Sequence, residues 1–276
     1  MPNPLHRIRK KIKNFIYPLI PVSTATRVKL IKMAIEYPKL LPFGEVVRRV
    51  REEGISITRF GDGELSLAMG GKRHGQFQTA QGDLGQRLVA ILKRPYDRKL
   101  LVCIPAFYTD LNNTKNRRGS LSFWESYWLR KYKQIKPYFT LPEYGCTDLS
   151  RLDVFHALPL AEIISMWAGR DMVFVVPQNG RFEYDERLFG NIKSKAEVAV
   201  PPMNAYGEYN RILKDCLKHS KDKLFFIAAG ATATVLAADL HDRGYQALDM
   251  GHFPNSFHQF LGERGKPESS PFVKAK

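Results

Sequence analysis

Cysteine is scarce in this sequence, and the three that occur are Cys103, Cys146 and Cys216. They lie far apart in the chain and form no C-x-x-C pair. A sparse, odd set argues against a scaffold held by disulfide bonds and is typical of a reducing compartment. No cysteine and histidine group has the spacing of a zinc site. Cys103 stands in the apolar run 100–104 and is predicted to be a buried hydrophobic residue.

Long hydrophobic runs are also absent, because no stretch reaches the roughly 20 apolar residues that a transmembrane helix needs. The apolar patch 15–21 is short and is interrupted by Pro18 and Pro21. It therefore does not resemble the core of a secretory signal peptide. These absences predict a cytoplasmic protein, with peripheral attachment to the inner face of the membrane as a further option.

Negative charge is missing from the first part of the chain. No acidic residue precedes Glu36. The same stretch contains the basic residues Arg7, Arg9, Lys10, Lys11, Lys13, Arg27, Lys29 and Lys32. Apolar residues recur close to helical spacing at Leu5, Ile8, Ile12, Phe15, Ile16 and Leu19. We predict a basic N-terminal arm over residues 1–40. It is either an amphipathic helix on an anionic membrane, or a solvated arm or a helix packed on the domain.

The whole chain is basic as well, since 43 Lys+Arg face 27 Asp+Glu and give a formal net charge of +16. A charge of this size indicates anionic partners, such as nucleic acids, anionic lipids or phosphorylated small molecules. No helix-turn-helix, zinc-finger or RNP pattern accompanies it, so a nucleic-acid partner is not expected. A basic nucleic-acid-binding protein without enzymatic activity is kept as an alternative function.

Strands and helices alternate through the rest of the chain, whose 276 residues are 44% hydrophobic and can bury a sizeable core. The pattern predicts strands at 55–60, 99–104, 171–176, 197–200, 223–228 and 246–250. It predicts helices at 44–53, 84–92, 122–135, 208–219 and 232–242, and one that starts near Gly63 or Glu64. Such alternation is typical of an α/β fold with a mostly parallel sheet and helices on both faces. We predict a single domain over residues 41–262 and a flexible tail over 263–276.

The most informative motif is Arg59-Phe60-Gly61-Asp62-Gly63-Glu64, which directly follows the first predicted strand. Ligands of such sheets bind beyond the carboxyl ends of the strands. At that point the carboxylates of Asp62 and Glu64 can hold Mg²⁺ or Mn²⁺, and Arg59 is suited to a phosphate. From this chemistry alone, the alternative that Asp62 caps the next helix and Glu64 favours its first turn is the stronger one.

This motif resembles the hallmark of the GT-D-fold glycosyltransferases, an R-F-G-D-G-E stretch with a D-x-E metal motif. The resemblance covers most of residues 45–255, through the stretches 144–145, 150–151, 202–205, 229–240 and 244–252. The basic arm is an addition to it, and the loop 177–181 departs from the more acidic loop of the family. The resemblance implies a Rossmann-like GT-D fold, a nucleotide-diphosphate sugar donor such as a UDP-sugar, and a Mn²⁺ or Mg²⁺ ion. It also implies a glycan, glycoprotein or glycolipid acceptor in surface polysaccharide biosynthesis.

The resemblance assigns site residues too. Asp62 and Glu64 become the catalytic pair and metal ligands, with Glu64 the first choice for a direct ligand and Asp62 either a second ligand or bound to the donor sugar or ribose. His252 completes the metal site or contacts the diphosphate. The donor-binding residues are assigned as Arg59, Phe60, Gly61, Gly230, Thr232 and Asp249. In this hypothesis the ion and Arg59 stabilise the charge that develops on the leaving nucleotide diphosphate. The catalytic base stays open among Asp110, Asp148 and Glu208, as does the choice between inversion and retention.

The small-residue turn 229–232 joins a predicted strand to a predicted helix, and such a turn lets backbone N–H groups approach an anion. Asp249 follows Gly230 by nineteen positions, a layout that also suits NAD or S-adenosylmethionine. Because Gly230 is the sole glycine of a G-x-G-x-x-G pattern here, a Rossmann-type methyltransferase or dehydrogenase is an alternative with weak support. Close packing of the helix on the strand explains the small residues equally well.

Overall fold

The computed structural model describes residues 22–74, 78–107, 121–269 and 271. The chain clusters into two compact units. The first comprises Met1–Pro38 and Phe107–Pro137, and the second comprises Lys39–Ala106 and Tyr138–Lys276. The predicted amphipathic stretch from Leu5 to Leu19 lies outside the described residues.

The second unit contains a parallel sheet of seven strands in its described residues. In chain order these strands are β1 (Ser56–Arg59), β4 (Leu100–Ile104), β5 (Gly145–Cys146), β6 (Asp171–Pro177), β7 (Ser194–Val200), β8 (Leu224–Ile227) and β9 (Gln246–Asp249). The strands β2 (Arg73–His74) and β3 (Gln78–Thr79) form a separate antiparallel pair. The order across the large sheet is β5-β4-β1-β9-β8-β6-β7, and every pair in it is parallel. The predicted Rossmann-like α/β fold is thereby confirmed.

Helices connect these strands and also occur in the described part of the first unit. In chain order they are α1 (Thr24–Glu36), α2 (Phe43–Arg48, continued by a π-helical turn at Arg49–Glu53), α3 (Asp62–Ala68), α4 (Leu84–Leu92), α5 (Phe123–Ile135), α6 (Leu152–Ala157), α7 (Leu160–Ile164), α8 (Glu186–Phe189), α9 (Tyr209–Cys216), α10 (Ala231–His241) and α11 (Phe253–Phe260). Short 3₁₀ turns occupy Lys136–Tyr138, Thr147–Ser150, Ala205–Glu208 and Pro267–Ser269.

The sheet is buried on both faces, as expected for parallel strands that are joined by helical crossovers. On one face, Phe174 and Phe226 of neighbouring strands pack with Trp167 and Phe189 in a large aromatic core. On the other face, α10 packs against β1 and β9. Its alanine-rich sequence is almost wholly buried, because small side chains allow a helix to approach a sheet closely. The central strands are therefore firmly held, and so are the loops at their ends.

The sequence analysis located most of the long elements but not the 13-residue helix α1, which falls within the predicted basic arm, and it missed the short ones. All six predicted strands are present, although β7 starts at Ser194, three residues before its predicted start. Helix α3 starts at Asp62, slightly earlier than predicted. The elements β5, α6, α7, α8 and α11 were not predicted, since each has two to eight residues and too few turns to show a clear period. The three cysteines are buried and free, which confirms the prediction for Cys103.

The first unit has an aromatic core of its own. The ring centroid of Tyr37 lies 5.2 Å from those of Phe107 and Trp128. Trp128 and Tyr132, on one face of α5, are buried in the same cluster. These contacts group residues 107–137 with the N-terminal helix α1. The grouping differs from the predicted division at residue 40, because aromatic side chains distant in sequence cannot be paired from periodicity.

Part of the predicted tail is folded against the second unit. The turn Pro267–Ser269 buries Pro267. Glu268, in the same turn, lies 2.6 Å from the guanidinium of Arg151. The sequence shows only a polar stretch there, so its contacts with distant residues could not be foreseen.

Candidate active site

A pocket of about 300 Å³ opens beyond the carboxyl ends of the parallel strands. Its walls come from the segments that follow β1, β5, β6, β7, β8 and β9. This is the edge at which open α/β sheets bind their ligands, because the loops there converge from many strands. Of the described residues that line the pocket, Asp62, Glu64 and Glu268 are acidic, and Arg59, Arg151 and Arg181 are basic.

The turn after β1 brings both motif carboxylates to this pocket. Gly61 is the N-cap of α3, so Asp62 and Glu64 fall in the first helical turn. The Oε2 atom of Glu64 accepts a hydrogen bond of 2.9 Å from the backbone N–H of Gly61. The simpler interpretation of the motif is therefore right that Glu64 lies in the first turn, but wrong that Asp62 caps the helix, because Gly61 is the N-cap and Glu64 completes the capping box. Both carboxylates nevertheless line the pocket, so capping and ligand binding are compatible.

Arg59 is fixed by an acid that lies behind it. Its Nε donates to the backbone oxygen of Asp249 at 2.8 Å, and its Nη2 lies 3.2 Å from Oδ1 of the same residue. Asp249 is only 2% exposed. Burial raises the pKa of Asp249 to about 6, while the Arg59 guanidinium acts in the opposite direction. Asp249 thus orients Arg59 and does not itself reach the pocket.

Gly251 is required by the position of Arg59. This glycine has φ of +45°, a conformation that other residues rarely adopt. A Cβ atom at this position would also overlap the Nη2 atom of Arg59. The bend after β9 therefore leaves room for the guanidinium beside the backbone. The sequence analysis missed this role because it depends on the side chain of Arg59, which belongs to a strand far away in the sequence.

The turn after β8 contributes mainly backbone atoms to the pocket. Gly230 is the N-cap of α10 with φ of +58°, and it lines the pocket. Thr232 is fully buried and does not line the pocket. Thr234, two residues further along α10, instead donates to the backbone oxygen of Arg59 at 2.8 Å. This turn supports the Arg59 side of the site from behind.

The nine assigned residues divide into two groups. The structure brings Arg59, Gly61, Asp62, Glu64, Gly230 and His252 together around the pocket. Phe60, Thr232 and Asp249 are buried behind it. The layout expected for NAD or S-adenosylmethionine requires an exposed acid that can hold a ribose. Asp249 is buried and bound to Arg59, so it cannot serve as the ribose-binding acid of an NAD- or S-adenosylmethionine-dependent enzyme.

His252 is the N-cap of α11 and faces the same pocket. Burial and the positive charge of Arg151 lower its pKa to about 3. The imidazole is therefore neutral at pH 7, the state in which it can bind a metal or accept a hydrogen bond.

Asp62 and Glu64 fit a particular kind of metal site. Within the part of the chain that the structure describes, no group of three or more His, Cys, Asp or Glu residues could hold an ion. His252 shares the pocket with the two carboxylates but does not complete such a group. Mg²⁺ in phosphate-binding sites commonly uses one or two carboxylates and takes its other ligands from water and substrate phosphates. The pair fits an ion of that type, and does not fit a site closed by protein ligands alone.

The two candidate catalytic bases within the described residues do not fall at the pocket. Asp148 and Glu208 do not line it, and Glu208 instead pairs with Arg211 at 2.6 Å. Asp110 lies outside the described residues.

Several lining residues were not assigned from the sequence. Arg151 follows β5, Arg181 follows β6, and Glu268 comes from the predicted tail. The nearby Asn255 donates from Nδ2 to the backbone oxygen of Arg181 at 3.0 Å. The signals were present, since Arg151 falls in a stretch that carries the resemblance and Arg181 in the loop that departs from it. Neither signal shows that the two arginines share one pocket, because that depends on the order of the strands in the sheet.

Comparison with known proteins adds a family match. The model of the family described as "Glycosyltransferase GT-D fold" matches residues 57–266. Among curated proteins, the chain is 28% identical over 215 residues to the "Probable glycosyl transferase Gly" of Streptococcus gordonii. It is 26% identical over 223 residues to the "Glycosyltransferase GlyD" of Streptococcus pneumoniae serotype 4. These alignments cover 76% and 77% of this chain, but only 31% and 26% of the two relatives.

Solved structures show the same similarity. One is described as "The highly conserved domain of unknown function 1792 has a distinct glycosyltransferase fold". It superposes with a TM-score of 0.74 at 27% identity and covers 86% of each chain. Another, "A New Glycosyltransferase (DUF1792) from Streptococcus sanguinis", has a TM-score of 0.71 at 26% identity, over 82% of this chain and 85% of that one.

Proposed function

The chain belongs to the glycosyltransferase family with the GT-D fold, and from this premise we propose that it transfers a sugar from a nucleotide-diphosphate donor, with a UDP-sugar as the first choice. The observation that carries the proposal is the convergence of Arg59, Asp62 and Glu64 on one pocket at the carboxyl ends of the sheet. We further propose that the acceptor is a glycan, glycoprotein or glycolipid in surface polysaccharide biosynthesis, and that the reaction takes place in the cytoplasm.

We propose that Asp62 and Glu64 hold Mn²⁺ or Mg²⁺ together with the phosphates of the donor. When bound there, such an ion supplies positive charge to the diphosphate that leaves. The hydrogen bond from Gly61 to Oε2 fixes the orientation of the Glu64 carboxylate before any ligand arrives. His252 offers a neutral imidazole to the same pocket, and we place it beside the donor diphosphate rather than on the ion.

Arg59 is placed and oriented so that it can bind the leaving diphosphate. Its guanidinium lines the pocket while Asp249 holds it from behind. A cation that is already oriented stabilises developing negative charge without reorganising during the reaction. Arg59 therefore stabilises the leaving group, and Asp249 is a positioning residue.

Binding of the donor is expected to depend on the metal. UDP-sugars and UDP at about 100 times their Kd should raise the melting temperature by about 5 °C with Mn²⁺, and much less with EDTA. A thermal-shift screen of nucleotide sugars, repeated by calorimetry, measures this effect. S-adenosylmethionine and NAD serve as comparison ligands in the same screen. A shift with either of them and none with any nucleotide sugar would reject the proposal.

We propose that the first unit attaches the protein to an anionic membrane surface. No helix in the described ranges has the length and apolarity of a membrane span. Helix α1, however, leaves Val28, Ile31 and Ile35 between 45% and 79% exposed. Their spacing of three and four residues places them on one face of the helix. The single acid of α1, Glu36, is neutralised by Lys136 at 2.8 Å, so the charge of this face is basic.

Replacing Val28, Ile31 and Ile35 together by Ser should weaken binding to vesicles with 30% anionic lipid by about 100-fold, since each buried aliphatic side chain is worth about 1 kcal/mol or more. Vesicle co-sedimentation at low and high salt measures the change. Leu217→Ser, which alters an exposed apolar residue of the second unit, is the matched control. Unchanged binding of the triple variant, or equal binding to neutral vesicles, would contradict the proposal.

A further inference from the structure

One wall of the pocket carries two arginines that the proposed reaction has not used. Arg151 follows β5 and Arg181 follows β6, and both side chains line the pocket. The Nη1 atom of Arg151 lies 2.6 Å from Oε1 of Glu268. The Nη2 atom of Arg181 donates to the backbone oxygen of Glu268 at 3.3 Å. One short C-terminal turn therefore contacts both guanidinium groups.

The two arginines are held close to each other despite their like charges. Burial lowers the pKa of Arg181, and the positive charge of Arg151 adds to this effect. The hydrogen bond from Asn255 to the backbone oxygen of Arg181 fixes the loop that carries this side chain. Two cations gathered at a pocket are unfavourable unless an anion joins them, and paired guanidinium groups suit the oxygens of a phosphate.

We propose that Arg151 and Arg181 form a binding site for a phosphate group, and that the Glu268 carboxylate occupies the Arg151 side of this site until a phosphate displaces it. The inference rests on the proposed function, because it assigns to this wall a phosphate of the donor diphosphate or of a phosphorylated acceptor. A phosphate has more charge and more acceptor oxygens than a carboxylate, so it can bind both guanidinium groups at once.

Glu268 is suited to leave. Its side chain is 57% exposed, and an ion pair as exposed as Glu268 with Arg151 contributes little to stability. The turn Pro267–Ser269 is anchored by the buried Pro267 rather than by the carboxylate. Displacement of the Glu268 side chain therefore does not require this turn to unfold.

The test measures binding of inorganic pyrophosphate and UDP by calorimetry, with and without Mn²⁺, to the full chain and its variants. Glu268→Gln removes the competing charge and is expected to tighten pyrophosphate binding about two- to tenfold. Arg151→Gln and Arg181→Gln are each expected to weaken it about tenfold or more. Glu263→Gln is the matched control, because Glu263 lies in the same C-terminal segment and pairs with Arg187, away from the pocket.

The outcomes separate this inference from the proposed function. Weaker binding of UDP to the arginine variants assigns the site to the donor, whereas weaker binding of a short prenyl phosphate with UDP unchanged assigns it to the acceptor. If pyrophosphate binding depends on Arg151 while no nucleotide sugar binds, the phosphate site stands and the proposed donor falls. The phosphate site is wrong if Glu268→Gln and both arginine variants bind all three ligands, pyrophosphate, UDP and prenyl phosphate, as tightly as the unmodified protein does. In that outcome Mn²⁺-dependent binding of UDP persists, so the proposed function stands.

Discussion

Glu64→Gln is expected to reduce sugar transfer by about 100-fold or more, because it removes a negative charge from the site proposed for the ion that stabilises the leaving diphosphate. Glutamine keeps an oxygen that can accept the hydrogen bond from Gly61, so the helix cap is retained. The loss should therefore appear in kcat and in Mn²⁺-dependent UDP affinity, and not in the melting temperature. Initial-rate kinetics with a donor that binds in the screen, together with calorimetry, measure both effects.

The chain contains a matched control for this variant. Glu125 occupies the same position in the capping box of α5, where its Oε2 accepts a hydrogen bond of 2.6 Å from the backbone N–H of Ser122. Both glutamates are buried, but Glu125 does not line the pocket. Glu125→Gln should leave transfer unchanged. If the two variants lose activity equally, Glu64 matters only as a cap, and the proposed metal site is wrong.

Asp249→Ala is expected to lower the free energy of unfolding by about 3 kcal/mol, because it leaves the largely buried Arg59 guanidinium without its charge partner. Asp249→Asn should cost less, about 1–2 kcal/mol, since an amide oxygen can still accept from Arg59 and Thr234. Urea denaturation at pH 7 measures both values. The alanine variant should also lose transfer activity, because Arg59 then keeps only its bonds to backbone oxygens and loses the carboxylate that orients Nη2.

An exposed ion pair provides the comparison for this stability change. Glu208 and Arg211 are 2.6 Å apart but lie in solvent, so Glu208→Gln should cost less than about 1 kcal/mol. If Asp249→Ala and Glu208→Gln lower the free energy of unfolding by similar amounts, burial does not make the pair of Arg59 and Asp249 more stabilising than an exposed ion pair. In that case Asp249 would not be a positioning residue.

The sequence was sufficient for the features that depend on neighbours along the chain. Helix α4 was predicted with its observed bounds, because its apolar residues recur at helical spacing. The motif 59–64 was placed correctly at a strand end, because a buried strand and two glycines identify such a turn. The family resemblance, which depends on the same motif, is confirmed by the match over residues 57–266.

Features that depend on the order of strands could not be predicted in this way. The sequence does not show that β9 lies beside β1, so the bond between Arg59 and Asp249 was not expected, and Asp249 was assigned to the donor. Arg151, Arg181 and Glu268 reach one pocket only because β5, β6 and the C-terminal turn converge in space. The short elements next to these residues have too few turns to show a periodic pattern, so the sequence did not predict them.

The place of β1 between β4 and β9 has a consequence for how the protein is made. The ribosome synthesises β1 some 190 residues before β9, and the middle of the sheet is incomplete until the two meet. A nascent chain that has not yet extended to Asp249 lacks the carboxylate that pairs with Arg59, so the proposed active site is not yet organised. Contacts between residues so distant in sequence also slow folding. The proposed site is therefore completed only after β9 has been synthesised, rather than forming gradually as β1 and its neighbouring helices emerge.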